Sequence, residues 1–161
     1  MRRGVALLLL LAAGCGLRPV YSNGSGGAAA SLLAAIEVSA IEGRGGYLVR
    51  QALLDRVGGG NSETARYRLD VRLDDSISGF GVRGDDSISR ERRLLRARWQ
   101  LVGSDGKALI DATSRADAGI DVVSSDYAVV AAENAALERL AEDIAGQITA
   151  RVALFVRGEA R

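Results

Sequence analysis

Two groups of residues in this chain have types and spacings that could do chemistry. The first is Cys15, the only cysteine, which follows Leu11-Ala12-Ala13-Gly14. The second is an arginine run, Arg90, Arg92, Arg93, Arg96 and Arg98. A thiol behind small residues and an apolar stretch is the acceptor in lipid transfer. Clustered guanidinium groups receive phosphate or carboxylate, because each planar fork donates two parallel hydrogen bonds. Asp74-Asp75 and Asp85-Asp86 are paired carboxylates, a pattern that can serve acid–base work or calcium. Neither pair comes with a ligand pattern such as an EF-hand loop, and both read as turn residues.

Other chemistries are excluded by what is missing. The chain has no histidine, so a Ser-His-Asp or Cys-His catalytic set cannot be built. With one cysteine and no histidine, a zinc site would need carboxylates alone, and no metal is expected. The formal net charge is +1, which gives no bulk attraction to nucleic acid. Recognition of an anion must come from local clustering.

Cys15 has the right context for an anchor. Arg2 and Arg3 form a positive start, and residues 5–13 are apolar, with an unbroken leucine run from Leu7 to Leu11. This is the layout of a secretory signal, and the run falls short of the ~20 residues a membrane span needs. Ala12-Ala13-Gly14-Cys15 reads as a bacterial lipobox. Residues 1–14 are then removed, and Cys15 becomes the first residue, carrying N-acyl and S-diacylglycerol lipid. Three fatty chains bury far more CH₂ groups than a single marginal myristoyl chain. The alternative is an ordinary signal with a stray thiol, and a lone cysteine in an exported protein calls for an explanation. By resemblance to known sorting patterns, Gly16 in place of aspartate favours the outer membrane, with the body facing the periplasm.

The rest of the chain has to position the arginines. Residues 15–32 comprise the lipidated cysteine and a small, polar, flexible tether. Residues 33–161 form a single domain. Its core must be aliphatic, since 48% of residues are hydrophobic and only 4% aromatic. Ile36, Val38 and Ala40 alternate with Glu37 and Ser39, which predicts a strand over 33–41. Residues 42–46 break it. Val49, Ala52, Leu53 and Val57 share a helical face over 47–57, and Gly58-Gly59-Gly60 stops that helix. Residues 66–74 alternate strictly, with Tyr67, Leu69, Val71 and Leu73 on one side and Arg66, Arg68, Asp70, Arg72 and Asp74 on the other.

Residues 76–89, rich in Gly, Ser and Asp, read as a mobile connection able to extend its flanking strands, with Gly79-Phe80-Gly81 at a loop tip. Residues 91–102 form the next strand, with Leu95, Ala97, Trp99 and Leu101 inward. Arg90, Arg92, Arg96 and Arg98 then share the wet face, and Arg93 lies opposite. This is either a cationic stripe or a solvated face paired with Asp70, Asp74, Asp111 and Asp117. Residues 103–106 are a hairpin turn. Residues 107–123 alternate again, with Ala108, Ile110, Ala112, Ala116, Ala118, Ile120 and Val122 inward. Ser124 or Ser125 caps a final helix, with Asp126 in its first turn. Leu137, Leu140, Ala141, Ile144, Ile148, Val152 and Phe155 give that helix its apolar stripe, over a length of roughly 45 Å.

The fold class is α+β, a two-layer sandwich of order β-α-β-β-β-α. A mixed or antiparallel sheet carries both helices on one face.

With these pieces assembled, the chain resembles the lipopolysaccharide-assembly lipoprotein family (LptE) in its alphaproteobacterial form. The resemblance rests on the lipobox with Cys15-Gly16-Leu17-Arg18-Pro19-Val20-Tyr21 and on the element order. It also rests on Ser124-Ser125-Asp126-Tyr127-Ala128, where the family often has a Ser-Tyr pair and Asp126 here separates the two. It implies a non-enzymatic protein held in the lumen of a large outer-membrane β-barrel, the lipopolysaccharide translocon (LptD). There it acts as plug and assembly partner, binds lipopolysaccharide and assists its delivery to the outer leaflet. It implies no cofactor beyond the lipid. No lipopolysaccharide-binding residue carries over from the family, so Arg90, Arg92, Arg96 and Arg98 stand as candidate contacts on physics alone. Two other readings fit a small anchored α/β protein. One is an auxiliary lipoprotein of an envelope phospholipid ABC-type transporter. The other is an envelope hydrolase using two aspartates, for which there is no pocket motif.

Overall fold

Strict alternation in the middle of the chain produces a long antiparallel ladder. The computed structural model describes residues 33–58, 65–82, 84 and 88–159. Cys15, the tether and Asp85-Asp86 lie outside the described residues. Strands β2 (Tyr67–Val82) and β3 (Ile88–Gly103) are 16 residues each and pair from Tyr67↔Gly103 to Val82↔Ile88. At about 3.3 Å per residue each is roughly 50 Å long. Most of the expected connection over 76–89 is therefore strand. Ser76, Ser78 and Gly79 face Leu94, Arg92 and Glu91 in register, because ladder bonds come from the backbone and do not need an apolar side chain. Asp74 and Asp75 lie inside β2 and not in a turn, and Phe80 pairs with Arg90 within the ladder.

Strand β4 (Ala108–Asp121) runs antiparallel to β3 after a tight turn in which the Gly103 N–H donates to Lys107 O at 2.9 Å. Strand β1 (Ile36–Val38) is only 3 residues long and pairs parallel to β2 at Tyr67–Leu69. The sheet is mixed, in the order β1-β2-β3-β4.

Both helices cover one face. Helix α1 (Gly43–Val57) buries Val49, Ala52, Leu53 and Val57. It begins four residues earlier than the sequence pattern predicts and takes in Gly45 and Gly46. Gly58 ends it in the left-handed region at φ 83°, with its N–H donating to Leu54 O. Helix α2 (Asp126–Glu159) is 34 residues long and buries Leu137, Leu140, Ala141, Ile144, Ile148 and Val152. Ser125 caps it, its Oγ accepting from the Ala128 N–H at 3.4 Å.

These side chains meet Leu69 and Val71 of β2 and Leu95, Ala97, Trp99 and Leu101 of β3 in one aliphatic core. Each buried Leu, Ile or Val contributes about 1.5–3 kcal/mol. The Trp99 indole N–H donates to Ser114 Oγ at 3.2 Å, so the one tryptophan is buried with its polar atom satisfied.

Candidate functional site

Among the described residues, no helix lies over the opposite face of the sheet. Because side chains alternate, β2 puts Arg68, Asp70, Arg72, Asp74, Ser76 and Ser78 there. Strand β3 adds Gln100, Arg98, Arg96, Leu94, Arg92 and Arg90, and β4 adds Asp111, Thr113, Arg115, Asp117 and Asp121. All four arginines nominated from the sequence lie on this face, and Arg93 lies on the other.

Their surroundings differ. Arg90 Nε donates to Asp121 Oδ1 at 2.9 Å. Arg92 holds Asp117 Oδ2 through Nε at 3.0 Å and Nη2 at 2.9 Å. That hydrogen bond raises the Arg92 pKa above its usual value. Arg98 Nη2 reaches Asp74 Oδ2 at 3.4 Å. Gln100 donates to Asp111 at 2.7 Å, and Arg68 pairs with Asp70 at 3.1 Å. Much of the face is thus a charged lattice of its own.

The centre is not balanced. Arg72 stands directly opposite Arg98, and Arg96 directly opposite Arg115. Such neighbours are only about 4.5–5.5 Å apart at Cβ, and like charges there are unfavourable. Within these two rows only Asp74 is negative. Among the described residues Arg72, Arg96 and Arg115 make no ion pair. The site is therefore Arg72, Arg96, Arg98 and Arg115 around one carboxylate. Exposed Leu94 lies one row beyond Arg96 on the same face. Arg72 and Arg115 lie outside the arginine run of residues 90–98. Alternation put both on the wet face, but only the cross-strand register brings them beside Arg96 and Arg98.

The helix side carries a separate polar cluster. Arg93 grips Asp75 through two hydrogen bonds, at 2.9 and 2.6 Å, and donates a third to Glu133 O in α2 at 2.9 Å. The hydrogen bond to Asp75 raises the Arg93 pKa against the opposing effect of burial. Arg44 of α1 donates to Asn134 of α2 at 2.7 Å. These contacts join elements together, and all three nitrogens of the Arg93 guanidinium are engaged.

Comparison with known proteins places this architecture. The family model for LptE, lipopolysaccharide assembly, matches residues 33–152. The chain belongs to the LptE family. The match spans the domain from just before β1 into the last turns of α2, so it includes the open face and stops short of Cys15.

Solved structures share the LptE fold. A protein from Caulobacter crescentus CB15 described as a lipoprotein is 28% identical, with a TM-score of 0.68 over 83% of this chain and 98% of that one. Lipoprotein B from Nitrosomonas europaea, 13% identical, aligns over 76% of this chain and 82% of its own with a TM-score of 0.60. The rare lipoprotein B from Shewanella oneidensis, 12% identical, gives 0.56 over 78% and 98%. At such identities the last two show the fold alone. No curated protein matches the chain. The protein is thus an envelope lipoprotein of lipopolysaccharide assembly, whose described residues form a four-stranded sheet with two helices on one side.

Proposed function

We propose that this LptE-family protein is anchored in the outer membrane by lipid on Cys15, plugs an LptD-like translocon barrel and assists its assembly. In that position it hands lipopolysaccharide towards the outer leaflet, and its open sheet face meets the phosphate groups of that lipid. The observation that carries the reading is the uncompensated arginine cluster on a sheet face covered by no other described element. Arginine forks match phosphate oxygens two at a time. Leu94 beside the cluster suits a ligand that joins phosphate to hydrocarbon. Arg72, Arg96, Arg98 and Arg115 are the primary contacts. Arg90 and Arg92, already paired with Asp121 and Asp117, contribute at the margin. Family membership weighs for lipopolysaccharide assembly over phospholipid transport.

The test is purification of the tagged full-length chain from native envelopes in mild detergent, with mass spectrometry of what stays bound. A stoichiometric outer-membrane barrel is the expected result. An inner-membrane transporter in its place would move the protein to the phospholipid pathway. The anchor has its own test. Cys15→Ala is expected to leave an unacylated protein in the soluble periplasmic fraction, and lipid-dependent membrane fractionation of that variant would contradict the assignment of Cys15.

A further inference from the structure

Strand β1 covers only the first three residues of the long outer edge of β2. The Tyr67 N–H donates to Ala35 O, and Leu69 O accepts from the Ser39 N–H at 3.1 Å. Odd-numbered residues of β2 therefore turn their backbone groups to this edge, and even-numbered ones face β3. Beyond Leu69, among the described residues, no strand pairs here. The N–H and C=O groups of Val71, Leu73, Asp75, Ile77 and Gly79 line an open ladder. Native proteins usually blunt such an edge with Pro, Lys, brevity or an inward-pointing charge; Val71–Gly79 is long, has no Pro or Lys, and its one charge on the helix side, Asp75, is neutralised by Arg93.

The flanks of this edge are also incomplete. Gly45 of α1 lies beside Asp75 and Leu95, and α1 begins only two residues earlier. Helix α2 packs on β3 and β4. Among the described residues nothing covers the helix side of β2 above Asp75, and Ile77 is 42% exposed. On the other side Arg72 sits next to the edge with no carboxylate partner among the described residues.

We propose that this edge takes an added strand, an extended segment of the barrel protein, docked along Val71–Gly79 in line with β1. Main-chain hydrogen bonds would supply affinity and alternate side chains specificity. The segment has apolar residues against Leu73 and Ile77 and a carboxylate beside Arg72. It comes from a luminal or loop region, since a closed barrel wall has no free edge to offer. The inference rests on the barrel-partner reading above and adds the mode of contact.

The experiment compares backbone amide exchange, residue by residue, in the full lipidated chain with and without its co-purified barrel. Strand addition slows exchange at least tenfold at Leu73, Asp75, Ile77 and Gly79. Arg72, Asp74 and Ser76, which already face β3, stay unchanged. No slowing at those four edge amides overturns the proposal. Slowing that grows with protein concentration in the barrel-free chain also overturns it, by giving the edge to a second copy. Ile77→Pro removes one edge donor and leaves the β2–β3 ladder intact. It is expected to weaken barrel capture at least tenfold relative to Ile77→Thr. Equal capture by the two variants overturns strand addition and leaves the barrel-partner reading standing. Failure of the unaltered chain to retain any barrel sinks both.

Discussion

Arg93 and Asp75 form a two-point ion pair between β3 and β2, and the third donor of the same guanidinium reaches Glu133 O in α2. One side chain, 11% exposed, thereby fastens the ladder to the helix layer. Removing it strands the Asp75 carboxylate and a helix carbonyl in a partly dry site. Arg93→Ala is expected to cost about 1–3 kcal/mol, from breaking a part-buried pair and its charge-assisted bonds. Arg93→Lys keeps the charge and loses the fork, so it should recover less than half of that. Urea denaturation followed by circular dichroism measures both. An Arg93→Ala variant as stable as its parent would show that the cluster holds nothing.

Gly46 gives a second prediction, because it opposes helix propensity. Alanine in place of glycine inside a helix usually helps by about 1 kcal/mol. A Cβ at Gly46, however, would lie 2.6 Å from Ile41 O and 2.7 Å from Ile41 C, both backbone atoms that cannot swing aside. Gly46→Ala should therefore destabilise by roughly 1–3 kcal/mol, the usual range for overpacking. Gly45→Ala meets nothing nearer than the Leu137 side chain at 3.5 Å and should be neutral or better. Thermal melts of the two variants decide the matter, and equal shifts would refute the close-approach account.

The same glycine explains where sequence reading stopped. Gly43-Arg44-Gly45-Gly46 reads as a breaker, because composition cannot distinguish a glycine that ends an element from one that lets two backbones touch. The alternation in β2, β3 and β4, the Gly58 stop, a serine cap at 124 or 125 and the α2 stripe are all legible, since each is a local signal in the sequence. The upper half of the β2–β3 hairpin was less so. Its serines and glycines are strand by virtue of their partners, and partners are a tertiary fact. The candidate site divides the same way. Which arginines face solvent follows from counting in twos. That Arg98 is held by Asp74 while Arg96 faces Arg115 follows from register, which no single strand encodes.

Glu91 offers a test of a different kind. It points to the helix side of β3, opposite Gly79 and Ile120. Its Oε2 is buried with no hydrogen-bond partner among the described residues. An unsatisfied buried acceptor costs about 1–3 kcal/mol. Glu91→Met has similar reach without the polar atoms and should raise stability by about 1 kcal/mol. For a domain of this size that is an increase of roughly 2–6 °C in Tm. Calorimetry on the purified variant reads it directly, and a lower Tm would mean that the carboxylate is satisfied in solution.

The open face can be separated from the fold by choosing arginines according to their partners. Arg72, Arg96 and Arg115 support no ion pair, and Arg72 and Arg96 stand opposite Arg98 and Arg115. Replacing the three with alanine removes repulsion and little else, so stability should stay within about 1 kcal/mol of the parent. Binding of fluorescent lipopolysaccharide should nonetheless fall more than tenfold. Hydrogen bonds to charged groups are worth about 1.5–3 kcal/mol each, and losing even one exceeds a factor of ten. The paired set behaves in the opposite sense. Arg90→Ala with Arg92→Ala releases Asp121 and Asp117, and since both pairs are exposed the stability change is small. Binding should drop only two- to threefold, through the loss of nearby positive charge. Raising salt from 0.05 to 0.5 M should erode that smaller effect first, because it acts at a distance and is screened. If the two variants lose binding equally, the unpaired centre is not the contact, and the charge of the whole face, without regard to pairing, would be what the lipid meets.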